Sequence, residues 1–114
     1  MGKTLGELEQ MILLALISLG DDAYGASIRR EIVSRTERDV SAGAVYTVLE
    51  RLQSAGLVTS WVGDPTARRG GRRRKHYRIR PQGAELLRES RERMRRMADG
   101  LHVRLDDLLL GGDR

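Results

Sequence analysis

The chain contains no cysteine, which excludes a disulfide framework, a thiolate nucleophile and a thiolate metal ligand. Its only histidines are His76 and His102. Neither has a carboxylate or a second histidine at ligand spacing, so no metal site or acid–base pair stands out. Asp106 and Asp107 are adjacent and point to successive helical faces, which does not make a paired-carboxylate site. Enzymatic activity is therefore the poorest class for this chain, and no cofactor is expected. Phenylalanine is absent and aromatic residues make up 4% of the sequence, too few for the stacking platforms of most RNA-binding modules. The longest uninterrupted apolar run, Met11 to Ile17, falls far short of the ~20 residues a membrane span needs. No basic-then-apolar signal pattern opens the chain, and the expectation is a cytoplasmic protein without a membrane partner.

Lysine is also scarce, since 19 of the 21 basic residues are arginine. Guanidinium is a planar, multi-donor cation that pairs bidentately with phosphate or guanine, which favours nucleic acid over a membrane surface. The charge is unevenly spread. Residues 1–40 carry five basic and seven acidic side chains, residues 41–80 nine and two, and residues 81–114 seven and seven. The net values of −2, +7 and 0 sum to the formal +5, so the middle third supplies the whole positive excess. Between Arg68 and Arg80 there are eight basic residues and no acid, the footprint expected of a polyanion-binding face. An arginine run alone is often only a solvated loop, so its surroundings decide the reading.

Those surroundings have a definite order. Leu5, Leu8, Ile12, Ala15, Leu16 and Leu19 form one helical stripe, and Met11, Leu14 and Ile17 widen it beyond a normal surface helix. So broad a face exceeds what one small domain covers, which points to a second subunit. Gly20-Asp21-Asp22 reads as a helix end followed by candidate N-caps. A second helix from about Tyr24 to Thr36 turns Ile28, Ile32 and Val33 inward. Ser41 reads as the N-cap of a third helix to about Ala55, with Val45, Val48, Leu49 and Leu52 facing the core. Its opposite side presents Gly43, Tyr46, Thr47, Glu50, Arg51 and Ser54. Gly56 closes this helix, Leu57 to Val62 has strand composition, and Gly63-Asp64-Pro65 reads as a turn. After the basic loop, His76 to Arg80 is the second strand.

Three helices, a strand, a charged loop and a strand make a winged helix-turn-helix, so the fold class is mainly α with a small β-hairpin, an α+β arrangement. From Pro81 a long helix follows, with Leu87, Met94, Leu101 and Leu108 at heptad spacing and a kink expected at Asp99-Gly100. The expected organisation is a DNA-binding domain over 1–80, a dimerisation helix over 81–110 and a disordered tail over 111–114.

At this point the chain resembles the PadR family of bacterial transcriptional regulators. The resemblance is carried by Ile12-Leu13-Leu14-Ala15-Leu16, Tyr24-Gly25-Ala26-Ser27-Ile28, Ser41-Ala42-Gly43-Ala44-Val45-Tyr46 with Leu49 and Leu52, and Gly56-Leu57-Val58. The stretch Gly71 to Ile79 resembles the family's basic wing and tyrosine-containing strand, and Gly83 falls at the family's last-helix glycine. Order and spacing carry the match more than any single motif. Arg80 stands where the family usually has a threonine cap, Ala23 where a histidine or aromatic is frequent, and the dimerisation segment is short, like that of the small members. The resemblance implies a homodimeric, sequence-specific repressor on double-stranded DNA, released in many members by a small-molecule effector. Trp61 is the one large aromatic able to stack on such a ligand, although a lone tryptophan at a strand end more often packs.

In a winged helix the third helix enters the major groove and the wing follows phosphates or the minor groove. The candidate DNA-binding residues are Ser41, Gly43, Tyr46, Thr47 and Arg51 on the helix, and Arg68, Arg69, Arg72, Arg73, Arg74 and Lys75 in the wing. Ser41 and Tyr46 suit phosphates, while Thr47 and Arg51 could reach bases. Partial burial of Tyr46 against Val62 or Trp61 is the competing expectation. Leu5, Leu8, Ile12, Leu87, Met94, Leu101 and Leu108 are the candidate dimerisation residues. A two-fold dimer predicts an inverted-repeat operator. The rival functions are a winged-helix protein-interaction module and a non-specific nucleic-acid binder.

Overall fold

A computed structural model describes residues 4–63 and 73–111. The candidates Arg68, Arg69 and Arg72, most of the Gly63-Asp64-Pro65 turn and the last three residues lie outside the described residues. The elements are α1 (Glu7–Leu19), a 3-10 turn (Gly20–Asp22), α2 (Gly25–Thr36), α3 (Ala42–Ser54), β1 (Val58–Val62), β2 (Lys75–Ile79), α4 (Pro81–Ala98) and α5 (His102–Leu109). This is the winged helix-turn-helix order, an α+β fold with one antiparallel hairpin. The hairpin runs in register from Val58 opposite Ile79 to Val62 opposite Lys75.

Burial of one face of each element explains the assembly. Ile12, Leu13, Ile28, Val45, Leu49, Leu52, Val58 and Tyr77 are almost wholly removed from solvent and join Leu5, Leu16, Ile32, Leu57 and Leu87 in one core. Apolar area removed from water is the main driving force for folding, and α1 is central to it, packing on α2, α3, β2 and α4. The four inward residues expected on α3 are all buried.

Chain ends are handled by several devices. At Ser41 the side-chain Oγ accepts the Ala44 N–H at 3.1 Å, as expected of an N-cap. The cap of α2 differs from expectation. Tyr24, and not Asp21 or Asp22, is the N-cap, and its N–H donates to Ser27 Oγ at 2.9 Å. No side chain caps α4 at Arg80. Pro81 starts that helix without one, because a proline at the first position has no N–H to satisfy. Gly56 and Gly100 have positive φ of 79° and 78°, where a side chain would be strained.

The C-terminal segment breaks at the expected Asp99-Gly100 kink, since α4 ends at Ala98 and α5 begins at His102, with Leu101 as the N-cap between them. The heptad seam therefore loses its register at Asp99-Gly100. Leu5, Ile12 and Leu87 are 8%, 0% and 4% exposed, covered largely by their own chain. Leu8 is half-buried against the same core. Met94, Leu101 and Leu108 remain exposed, joined by Met97, Val103, Leu105, Leu109 and Leu110. Leu14 and Ile17 of α1 are exposed too, on the broad stripe that the sequence marked as exceeding one domain's needs. The radius of gyration is 17.3 Å and the longest extent 61 Å, against roughly 13 Å expected for the radius of a compact domain of this size. The elongation is consistent with α4 and α5 extending beyond the core. Among the described residues, no helix is long and apolar enough to cross a membrane.

Candidate nucleic-acid interface

The outer side of α3 is set by its inner side. With about 100° between successive residues, the direction opposite the buried Val45, Val48, Leu49 and Leu52 is occupied by Gly43, Thr47, Glu50 and Ser54, each exposed. Tyr46 and Arg51 sit on the two flanks of this face. Ser41 Oγ is engaged as an acceptor by Ala44, yet its hydroxyl proton can still be donated outward. The first two N–H groups of α3, on Ala42 and Gly43, have no intrahelical acceptor, as at any helix start, and favour an anion.

The flanking residues are held by their neighbours. Tyr46 is 48% exposed and its ring rests on Gly25 at the start of α2, so closely that a Cβ there would collide with the phenol. One packing partner is thus the α2 backbone at Gly25, which neither the DNA-contact expectation for Tyr46 nor its competitor, packing on Val62 or Trp61, names. Arg51 Nε lies 3.7 Å from Glu9 Oε2. Glu9 is only 8% exposed, and its other oxygen accepts the Gly6 N–H at 2.9 Å. This draws the guanidinium towards α1, away from the centre of the α3 face.

The wing is fastened to the turn between α1 and α2. Tyr77 N–H donates to Ala23 O at 2.9 Å, and Tyr24 bridges to His76 beside the hairpin. His76 Nδ1 is 3.0 Å from Asp21 O, and Arg78 donates to Asp21 Oδ1 at 2.8 Å. His76 also stacks on Trp61 with ring centroids 5.3 Å apart and meets Tyr24 edge-on at 5.6 Å. Three guanidiniums lie over this aromatic group, Arg74 at 4.3 Å and Arg30 at 5.9 Å from the Tyr24 ring centre and Arg78 at 4.5 Å from that of Trp61. The Trp61 ring is thus already engaged from its own hairpin. At the open end, Gly63 N–H donates to Arg74 O at 2.7 Å. Lys75 Nζ reaches Glu50 Oε2 at 3.8 Å, which joins the wing to α3.

Of the sequence candidates, Gly43 and Thr47 lie on the exposed side of α3, Tyr46 on its flank and Ser41 at its N-terminal end, and Lys75 of the wing strand reaches Glu50 on the same side, with Arg73 and Arg74 just before it in the chain. Arg51 stands at the edge. Asp21, Tyr24 and His76 are the supporting residues that sequence reasoning missed. Asp21 was read as a cap, and its pairing with a residue 57 positions away leaves no local pattern. Buried Tyr77 carries a phenol pKa pushed above its usual 10.0 by desolvation and then by Glu50 and Tyr46 of α3.

A helix-turn-helix whose third helix lies beside an anchored basic hairpin agrees with the family comparison, in which the transcriptional regulator PadR-like family matches residues 13–89. The chain belongs to the PadR-like family of transcriptional regulators. Among solved structures, a PadR family transcription regulator from hypervirulent Clostridium difficile R20291 is similar at 25% identity and TM-score 0.74, with 88% of this chain and 99% of that one covered. A transcriptional regulator from Clostridium thermocellum is similar at 28% identity and TM-score 0.67, covering 79% and 82%. The fold also matches Bacillus subtilis PadR in complex with operator DNA, at 20% identity and TM-score 0.61 over 72% of this chain and 46% of that one. No curated protein matches the sequence.

Proposed function

We propose that this PadR-like regulator is a cytoplasmic, sequence-specific DNA-binding repressor that acts as a homodimer on an inverted-repeat operator. The observation that carries the reading is the continuity of the exposed α3 face with the basic wing through Glu50 and Lys75. The α3 face enters the major groove, the helix start and Ser41 hold a phosphate, and Arg73, Arg74 and Lys75 follow the backbone. The operator complex of Bacillus subtilis PadR supports DNA as the partner by analogy of fold. The exposed apolar side chains of α4 and α5, with Leu14 and Ile17, support a second copy of the chain as their cover. Trp61, stacked on His76, lines a pocket with Asp21, Thr59, Ser60 and Arg78 and is the proposed contact for release by a small-molecule effector.

Enrichment of duplexes from a random-sequence library by the purified protein at moderate salt tests this reading. An enriched inverted repeat is the expected result. Salt-sensitive retention without enrichment would replace the reading with non-specific coating, and no retention would favour a protein-interaction module.

A further inference from the structure

One residue on the α3 face has the wrong charge for a surface that only neutralises phosphates. Glu50 and Asp64 are the only acids between residues 41 and 80, where nine basic residues lie. Glu50 stands within about 30° of the outermost line of α3, taking about 100° per residue, and its side chain is 68% exposed. Its described ion pair with Lys75 is 3.8 Å long, with the lysine 44% exposed, and a solvated pair of that length contributes little to stability. Fold stability therefore gives a weak reason for a carboxylate here, while repulsion of DNA phosphates is a real penalty.

Resting on the proposed DNA-binding role of α3, we infer that Glu50 is a specificity-determining residue that reads a cytosine in the major groove. An ionised carboxylate offers only acceptors. In the major groove cytosine presents the N4 amino donor, whereas guanine presents two acceptors, thymine an acceptor and a methyl group, and adenine a donor beside the N7 acceptor. Cytosine is thus the base at which a carboxylate gains a hydrogen bond without meeting a lone pair. Thr47 and Gly43, one and two turns earlier on the same line, keep the neighbouring surface small and let the helix approach closely. Lys75 partly neutralises the carboxylate in the free protein and transfers to an adjacent phosphate on binding. Phosphates then repel Glu50 on every sequence, but only a cytosine offsets that repulsion, so the residue penalises wrong sites as well as rewarding the right one.

The test is library enrichment with the full chain as wild type, Glu50→Gln and Glu50→Ala, combined with affinities for the enriched operator and its single-base variants. Wild type should enrich a motif with a C·G pair at one fixed position in each half-site. In Glu50→Gln the preference at that position should drop about tenfold or move to A·T, because glutamine pairs with adenine N6 and N7. In Glu50→Ala the position should become degenerate while the rest of the motif stays. Thermal midpoints should match wild type, because the side chain is exposed. If both variants keep the wild-type preference everywhere and merely bind all duplexes more tightly, Glu50 is only an electrostatic brake and the inference falls. If wild type itself enriches no motif, the DNA-reading role of α3 falls with it.

Discussion

As the proposed phosphate contacts, Arg73, Arg74 and Lys75 differ from the α3 residues in what they can report, because phosphate contacts carry no sequence information. Replacing all three with alanine should weaken matched and unmatched duplexes alike. For every phosphate that the variant no longer neutralises, the plot of log affinity against log salt should become shallower by about 0.9, read by fluorescence anisotropy at several salt concentrations. Tyr77 gives a prediction on stability. Its pKa is raised in the fold, first by desolvation, so its contribution is full below the unfolded value near 10.0 and is lost as pH rises through the higher folded value. Tyr77→Phe should flatten the decline of the unfolding midpoint in that alkaline window, and an unchanged decline would show that Tyr77 ionises no less readily when folded. At this scale charge and residue type were legible from sequence, but partnership was not. Arg51 looks as suitable for base contact as Thr47 until Glu9 is placed beside it by the fold.

The elements themselves were largely legible, because their periodicity and punctuation are local. Ser41 caps α3 as its position before an apolar-periodic run implies, and Ser41→Ala should cost about 1 kcal/mol, read by chemical denaturation, with weaker DNA binding if the hydroxyl also meets a phosphate. Gly83 was flagged only by resemblance, and packing supplies the reason. A Cβ there would strike the carbonyl oxygen of Leu57 and come within 3.1 Å of Ile79 Cγ1, and that same carbonyl accepts the Arg80 N–H at 2.9 Å. Gly83→Ala should therefore lower stability by about 1–3 kcal/mol as an overpacking change, even though alanine is the better helix former. A thermal midpoint equal to wild type would contradict that close approach. At the start of α2, Asp21 and Asp22 satisfy the local rule for caps, but they lie in the 3-10 turn, and the helix is instead closed by the local bond from the Tyr24 N–H to Ser27 Oγ.

At the scale of the whole molecule, the apolar side of the C-terminal helices needs a cover. Met97, Leu105 and Leu109 are 74%, 57% and 78% exposed, the side chains that the proposed homodimer would cover. On the proposed homodimer, Leu105→Asp with Leu109→Asp should shift the sedimentation from dimer to monomer. The same variant should reduce operator affinity far more than affinity for a single half-site, since linking two half-sites multiplies affinity without new contacts. A double variant that sediments like wild type would move the interface to Leu14 and Ile17 on α1. With about eight phosphates neutralised per dimer, wild-type affinity should drop about 10⁴-fold between roughly 50 and 200 mM salt.

The sequence by itself determined the order of helices and strands, the buried face of α3 and the concentration of positive charge before β2, because apolar period, turn chemistry and composition are properties of short stretches. It also marked Asp99-Gly100 as the weak point of the last helix. Tertiary structure alone decided that Leu5, Ile12 and Leu87 belong to the chain's own core, that Arg51 turns to Glu9, and that Asp21, Tyr24 and His76 moor the wing. Each of these depends on which surfaces meet after the chain has folded back on itself, and a helical stripe looks the same from within the sequence whether its own domain or a second copy covers it.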